Sequence, residues 1–274
     1  MTAERSPEVS SLVVVGCQWA PGSDRAANRA SISTLVGEAV ALGADLVVFP
    51  EYAQYWDGPP STTWHSQAED LSGDFVEHLS SLSSAHGGIA LVAGMIERHE
   101  GGKPFNTLVA IADGQLVGRS RKIHLYDAFS ARESDVIDPA PQEDPSVLWV
   151  RGVRIGLQTC YDLRFPEVTR RLVDAGAQVV VIPAQWVPGP NKTFQWQTLL
   201  RARAIESQLF VVAVDHPAPQ GVGASMIVGP DGRDLSSLGE EPGLVSAPLS
   251  LERIDEVRRV NPMASLRRFT VQWT

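Results

Sequence analysis

Two segments of the chain repeat one pattern, and that repetition limits what the chain can fold into. Leu42-Gly43-Ala44-Asp45-Leu46-Val47-Val48-Phe49-Pro50 and Ala175-Gly176-Ala177-Gln178-Val179-Val180-Val181-Ile182-Pro183 both read x-Gly-Ala-x-[Leu/Val]-Val-Val-x-Pro. Each follows an apolar periodicity of helical spacing: Ile32, Leu35, Val36, Ala39 and Val40 before the first, Leu172, Val173 and Ala175 before the second. A glycine closes each helix, because it accepts the left-handed conformation that ends one. The apolar run that follows is what a strand covered on both faces requires. Helix into buried strand, twice, predicts two α/β halves of similar build. No linker-like composition separates them, so they are expected to pack together over residues 11–260 as one domain. Residues 1–10 read as a disordered tail and 261–274 as a C-terminal tail.

Further elements fill in each half. Leu12 to Trp19 is an apolar run ended by Pro21-Gly22, with Ser23 and Asp24 as helix N-cap candidates. A helix is expected from about 73 to 85 and a strand over 89–96. Asp113-Gly114 sits between two strand-like runs and signals a hairpin, so the sheets are expected to be mixed rather than purely parallel. The runs 146–150 and 153–157 read as a second hairpin. Helix 193–208 is expected to carry Leu199, Leu200, Ala204 and Ile205 on one side, strands are expected at 209–215 and 224–228, and a short charged helix runs over 251–260. The segment from His124 to about Pro145 has no regular pattern, and loops of that length tend to carry function.

Composition removes several function classes. The chain has 274 residues, 43% of them hydrophobic, enough for a substantial core. A formal net charge of −9 argues against a nucleic-acid partner or an anionic membrane surface. No apolar run approaches the roughly 20 residues of a membrane helix, and the polar start does not read as a signal peptide. With only Cys17 and Cys160 present, a disulfide framework is not expected and a reducing cytoplasm is the expected compartment. The six histidines show no zinc spacing, and neither a phosphate-binding P-loop nor a dinucleotide fingerprint is found. No metal and no cofactor is therefore expected.

Three ionisable residues stand at the expected ends of strands, where active sites gather in open α/β sheets. Glu51 follows Val47-Val48-Phe49-Pro50, Lys122 follows Gly118-Arg119-Ser120-Arg121, and Cys160 follows Ile155-Gly156-Leu157-Gln158-Thr159. Taken singly, Glu51 reads as well as a solvated helix cap, Lys122 as a surface charge and Cys160 as a small core residue. Cys160 also precedes Pro166, which suits the first turn of a helix. A strand-to-helix junction there would favour the thiolate.

Together these residues resemble the nitrilase, or carbon–nitrogen hydrolase, superfamily. Phe49-Pro50-Glu51 resembles its first motif, Gly118 to Leu125 its lysine motif, and Cys160-Tyr161-Asp162-Leu163-Arg164-Phe165-Pro166-Glu167 its cysteine motif; Asn106-Thr107, Arg203 to Glu206 and Ser225 to Gly232 also fit. Leu163-Arg164-Phe165-Pro166 is most similar to the branch of ω-amidases and deaminated-glutathione amidases. The resemblance implies a four-layer αββα sandwich. It also implies a Cys160 nucleophile, a Glu51 general base, and an oxyanion held by Lys122 and the backbone N–H of Tyr161. The substrate it implies is a small-molecule amide bearing a carboxylate. Glu133 sits where the superfamily often has a second glutamate, although the chain continues there through Pro139 and Pro141 rather than toward a glycine. Arg164 is expected either to hold a substrate carboxylate or to pair with Glu167. Tyr52, Phe129, Trp186 and Trp196 read as pocket linings or as core. Homodimers or larger homo-oligomers are implied by the resemblance alone. The alternatives are an N-carbamoyl amino acid or nitrile hydrolase, a silent binding protein of the same fold, and a papain-like Cys160 paired with His124 or His216.

Overall fold

The computed structural model describes residues 11–129 and 131–273; the tail expected over 1–10 lies outside them. Five strands build most of the first sheet: β1 (Ser11–Gln18), β2 (Leu46–Val48), β3 (Ala90–Glu97), β4 (Phe105–Ala112) and β5 (Gln115–Arg121). The second sheet comprises β6 (Val147–Val150), β7 (Val153–Leu157), β8 (Val179–Pro183), β9 (Phe210–Val214), β10 (Met226–Val228) and β11 (Asp234–Ser237). The last strand, β12 (Gly243–Ser250), returns to the first sheet, whose order is β12-β1-β2-β3-β4-β5; the second runs β11-β10-β9-β8-β7-β6. Both sheets are mixed. β1-β2-β3 and β7-β8-β9 are parallel, and the flanking pairs are antiparallel.

The helices are α1 (Arg25–Ala41), α2 (Trp64–Gln67), α3 (Asp74–Ala85), α4 (Pro166–Asp174), α5 (Lys192–Ser207) and α6 (Leu251–Val260). Three apolar clusters define four layers. Leu12, Val14, Leu46, Val92 and Leu108 of one sheet meet Ile155, Val179, Val181, Val212 and Ile227 of the other. The outer face of the first sheet packs on α1 and α3 through Ile32, Val36, Phe75 and Leu79. The outer face of the second packs on α4 and α5 through Leu172, Trp196, Leu200 and Ala204. Helix, sheet, sheet, helix is the expected αββα order. With both faces covered, the strands need side chains of one kind throughout. The repeated Val-Val runs become β2 and β8, the equivalent strands of the two halves. At the sheet–sheet contact Gly16 leaves room for its neighbours: a Cβ there would stand 2.7 Å from Val214 Cγ2.

Several local expectations hold. Asp24 caps α1, accepting from the N–H groups of Ala26 and Ala27. Asp113 (φ 51°) and Gly114 (φ 72°) turn the β4–β5 hairpin. Two differ. α5 buries Trp196, Leu200, Arg203, Ala204 and Ser207, a set spaced at the helical period, and this turns Ile205 outward to 50% exposure. Strands β11 and β12 were not anticipated. Ser, Gly and Pro dilute their apolar pattern, yet β12 pairs with β1 over all eight residues, burying Val245, Ala247 and Leu249 while Pro248 faces out. The segment after α6 holds a 3₁₀ turn, Met263–Leu266. It lies along α4, where Arg267 pairs with Asp174 and the Arg171 guanidinium stands 4.6 Å from the Trp273 ring.

Candidate active site

The carboxyl ends of β2 and β8 and the turn after β7 meet over one cavity of about 740 Å³. Glu51 reaches it because the chain turns sharply at Tyr52, whose φ is 59°. Gly94 on β3 permits that turn by letting the Glu51 backbone lie against it. Cys160 opens a 3₁₀ turn, Cys160–Arg164, in a left-handed conformation (φ 42°). A non-glycine residue held there stores about 1–3 kcal/mol and persists only when its surroundings fix it. They do. Arg203 donates to the Leu163 carbonyl at 2.7 and 3.1 Å, and Asp162 accepts from the N–H groups of Ile123 and His124. The latter pair ties the cysteine turn to the segment that carries Lys122.

Lys122, buried at 3% exposure, sits between two carboxylates. Its Nζ lies 3.0 Å from Glu51 Oε1 and 2.8 Å from Glu133 Oε2. Glu133 also accepts from the Tyr52 hydroxyl (2.6 Å), the Tyr126 N–H (2.7 Å) and Asn106 Nδ2 (3.3 Å). Asn106 Nδ2 reaches Glu51 Oε1 at 2.6 Å, and the Gln185 N–H donates to Glu51 Oε2 at 2.7 Å. The Cys160 thiol lines the same cavity as this group and donates to the Gln185 carbonyl oxygen at 3.6 Å.

This arrangement separates the two carboxylates chemically. Burial pushes Glu51 up; Lys122 opposes that and the Glu133 charge adds to it, leaving Glu51 raised. Burial also pushes Glu133 up, but the Lys122 ammonium and the hydrogen bonds from Lys122, Tyr52 and Tyr126 outweigh it and hold Glu133 low. Burial would discharge Lys122, yet Glu133 and Glu51 together keep it protonated. Cys160 departs from the sequence expectation of a stabilised thiolate. Burial, and then the Glu51 charge, push the thiol well up. No long helix begins at Cys160, and the low-dielectric wall disfavours an anion there.

Residues 13–259 match the carbon–nitrogen hydrolase family. The chain belongs to that family. It is therefore an enzyme acting on non-peptide C–N bonds. This hydrolase is 34% identical over 261 residues to the deaminated glutathione amidase of Escherichia coli O157:H7, spanning 94% of this chain and 98% of the relative. Among solved structures it is similar to the NitFhit protein of C. elegans (TM-score 0.85, 27% identity, 94% of this chain and 65% of that one). It is also similar to an amidase variant from Nesterenkonia sp. AN1 that carries the acetamide moiety of fluoroacetamide on its active-site cysteine (TM-score 0.78, 26% identity, 95% of this chain and 99% of that one).

Each residue singled out in the hydrolase's sequence has a definite place. Glu51, Tyr52, Lys122, Phe129, Glu133, Cys160, Tyr161, Arg164 and Trp186 all line the cavity. Trp196 does not; its indole donates to the Ala224 carbonyl inside the core. The Arg164–Glu167 pair is not formed. Arg164 donates to Gln195 Oε1 at 2.7 Å and lies 4.7 Å over the Trp186 ring, while Glu167, in the first turn of α4, is exposed to solvent. Neither histidine serves Cys160. His124 bonds Asp162 and stacks on Phe165, and His216 donates from Nε2 to the Glu51 carbonyl at 2.7 Å.

Sequence reasoning missed Gln185, Asp215 and Lys192. Asp215, fully buried at the end of β9, accepts from the N–H groups of Trp186 and Val222 and so fixes the Gln185 loop against Glu51. The one available signal was an acid closing the apolar run Leu209 to Val214. No metal-ligating group of three or more His, Cys, Asp or Glu occurs among the described residues, and no described helix is long and apolar enough to cross a membrane.

Proposed function

We propose that the enzyme is an amidase that hydrolyses the amide of a small carboxylate-bearing acid through a Cys160 thioester. The observation carrying this reading is the Lys122 ammonium held between two carboxylates of opposite tendency, with a protonated thiol facing the raised one. Glu51 takes the Cys160 proton as the sulfur attacks the amide carbon. The C=O electrons move to oxygen, and Lys122 and the Tyr161 N–H hold that oxyanion. Collapse breaks the C–N bond, the proton on Glu51 passes to the departing nitrogen, and ammonia or an amine leaves an acyl-thioester. Water then attacks with Glu51 as base, and collapse releases the acid and restores the thiol. Glu133 stays ionised throughout and keeps Lys122 charged and in place. Tyr52 and Asn106 orient the two carboxylates.

Support for an amide substrate comes from the name of the E. coli relative and from the adduct on the Nesterenkonia enzyme's cysteine. Support for a carboxylate comes from Arg164, which lines the cavity with no acidic partner among the described residues. Tyr52, Phe129 and Trp186 supply the rest of the wall. The free cysteines Cys17 and Cys160 fit a cytoplasmic enzyme. Self-association as a homodimer or larger assembly is checked by light scattering. The mechanism is tested by intact-protein mass spectrometry of wild type and Cys160→Ala with small amides, N-carbamoyl amino acids and nitriles, following ammonia in parallel. An adduct on wild type alone, with ammonia from the amides, is expected. Turnover confined to carbamoyl compounds or nitriles replaces the substrate class, and turnover by Cys160→Ala refutes the thioester.

A further inference from the structure

The cavity holds a second cation that the mechanism does not use. Lys192, at the start of α5, is 6% exposed. Its ammonium reaches only neutral groups: the Tyr126 hydroxyl at 3.1 Å, the Phe129 ring at 3.7 Å and the Tyr126 ring at 5.2 Å. No carboxylate lies within ion-pair distance of it among the described residues. Arg164 lines the same cavity in the same condition, and its Nε is buried with no hydrogen-bond partner. Two unpaired cations in one pocket repel each other, and burial followed by the Arg164 charge lowers the Lys192 pKa. An ammonium drawn partly out of water is disfavoured unless an anion meets it. A phenol and the face of a largely exposed ring offset little of that. The chain as a whole is acidic, with a formal net charge of −9, so this local excess of positive charge is not a property of the surface at large. In the same cavity Glu51 and Glu133 stand against one ammonium, Lys122, and repel an incoming anion.

We propose that Lys192 is an anion-binding, specificity-determining residue. With Arg164 it forms a two-cation subsite that takes a carboxylate of the substrate at the end remote from the scissile amide. Arg164, braced by Gln195 and Trp186, presents its planar fork to the carboxylate. Lys192 supplies a point charge on a flexible stem and swings from Tyr126 and Phe129 to the bound anion. Phe129, 69% exposed, lines the same cavity beside the Lys192 ammonium.

This inference rests on the amidase reading, and the test separates the two. Lys192→Met and Lys192→Arg are compared with wild type on glutaramate and on valeramide, its neutral counterpart of equal chain length. Glutarate is assayed separately as a protectant of Cys160 against iodoacetamide. In Lys192→Met the ratio of kcat/KM for glutaramate over valeramide falls about ten- to hundredfold, the worth of one charge-assisted hydrogen bond. The glutarate concentration needed for protection rises by a similar factor, and Lys192→Arg restores most of both. Lys192→Gln replaces the methionine variant if thermal melting shows that variant misfolded. A ratio within twofold of wild type, with Arg and Met alike, overturns the subsite while leaving the amidase reading intact. Lys192-dependent protection by glutarate without turnover of either amide overturns the amidase reading and leaves the subsite. No protection of wild type by glutarate overturns the subsite.

Discussion

Gly94→Ala tests whether the Glu51 elbow is set by close packing of backbone on backbone. A Cβ at Gly94 would stand 2.8 Å from Glu51 Cα and 2.9 Å from its carbonyl carbon. Ordinary contact begins at 3.4 Å, and the Tyr52 nitrogen lies closer to that Cβ than either atom, so the elbow must retreat by more than about 0.6 Å (3.4 − 2.8). Both partners are main chain and cannot swing aside. Hydrogen bonds from the Gly94 N–H to the Pro50 carbonyl and from the Gln54 N–H to the Gly94 carbonyl resist the retreat. Overpacking of this kind costs about 1–3 kcal/mol. In a domain of this size about 2 kcal/mol lowers the melting temperature by about 4–8 °C. The same displacement carries the Glu51 carboxylate away from Lys122, Asn106 and the Gln185 N–H. A misplacement approaching 1 Å costs up to about a hundredfold in rate, so kcat/KM is expected to fall between about tenfold and a hundredfold. The assay combines steady-state kinetics on a carboxylated amide with a thermal melt. Gly37→Ala is the control, since a Cβ there meets nothing within 4 Å and lies inside α1; it should stabilise by up to about 1 kcal/mol. Wild-type kcat/KM in Gly94→Ala, at an unchanged melting temperature, refutes the reasoning.

Two further outcomes follow from the buried charges. In Glu133→Gln the repulsion that Glu133 exerts on Glu51 disappears and Lys122 leans on Glu51 alone. The acid limb of the kcat/KM–pH profile then moves to lower pH and its plateau falls about a hundredfold; an unshifted limb counts against Glu51 as the base. Burial holds His216 neutral and lowers it from 6.5 to about 4. The unfolded chain therefore binds a proton that the native state refuses. This contribution is full above pH 6.5 and is lost as pH falls toward 4, by about 3 kcal/mol. His216→Gln should flatten that part of the stability–pH curve by this amount in denaturant titrations, and an equal slope in both proteins contradicts the assignment.

Period and punctuation made most of the fold legible. Val-Val runs between glycine-closed helices became β2 and β8, and Asp113-Gly114 became a hairpin, because local sterics and two-sided burial act on neighbouring residues. Strand β12 escaped because its partner β1 lies far away in sequence, and β11, although it pairs with the neighbouring β10, escaped because Asp234-Leu235-Ser236-Ser237 carries almost no apolar signal. Gly243 to Ser250 forms a strand only when β1 offers it an edge. The same division applies at the cavity. Glu51, Lys122 and Cys160 stood out because each follows a strand. Asp215, Gln185 and Lys192 acquire meaning only from what they face across the cavity.

The sequence by itself determined most of the elements apart from β11 and β12, their order in two halves, and which side chains end at the strand tips. These depend on periodicity, turn chemistry and residue type, all of them local. The tertiary structure alone decided the charge state of the site. It placed one ammonium between two carboxylates, raised one of them and lowered the other, and kept the Cys160 thiol protonated. Desolvation and Coulomb energy depend on distance and burial in space, and neither can be read from positions along the chain.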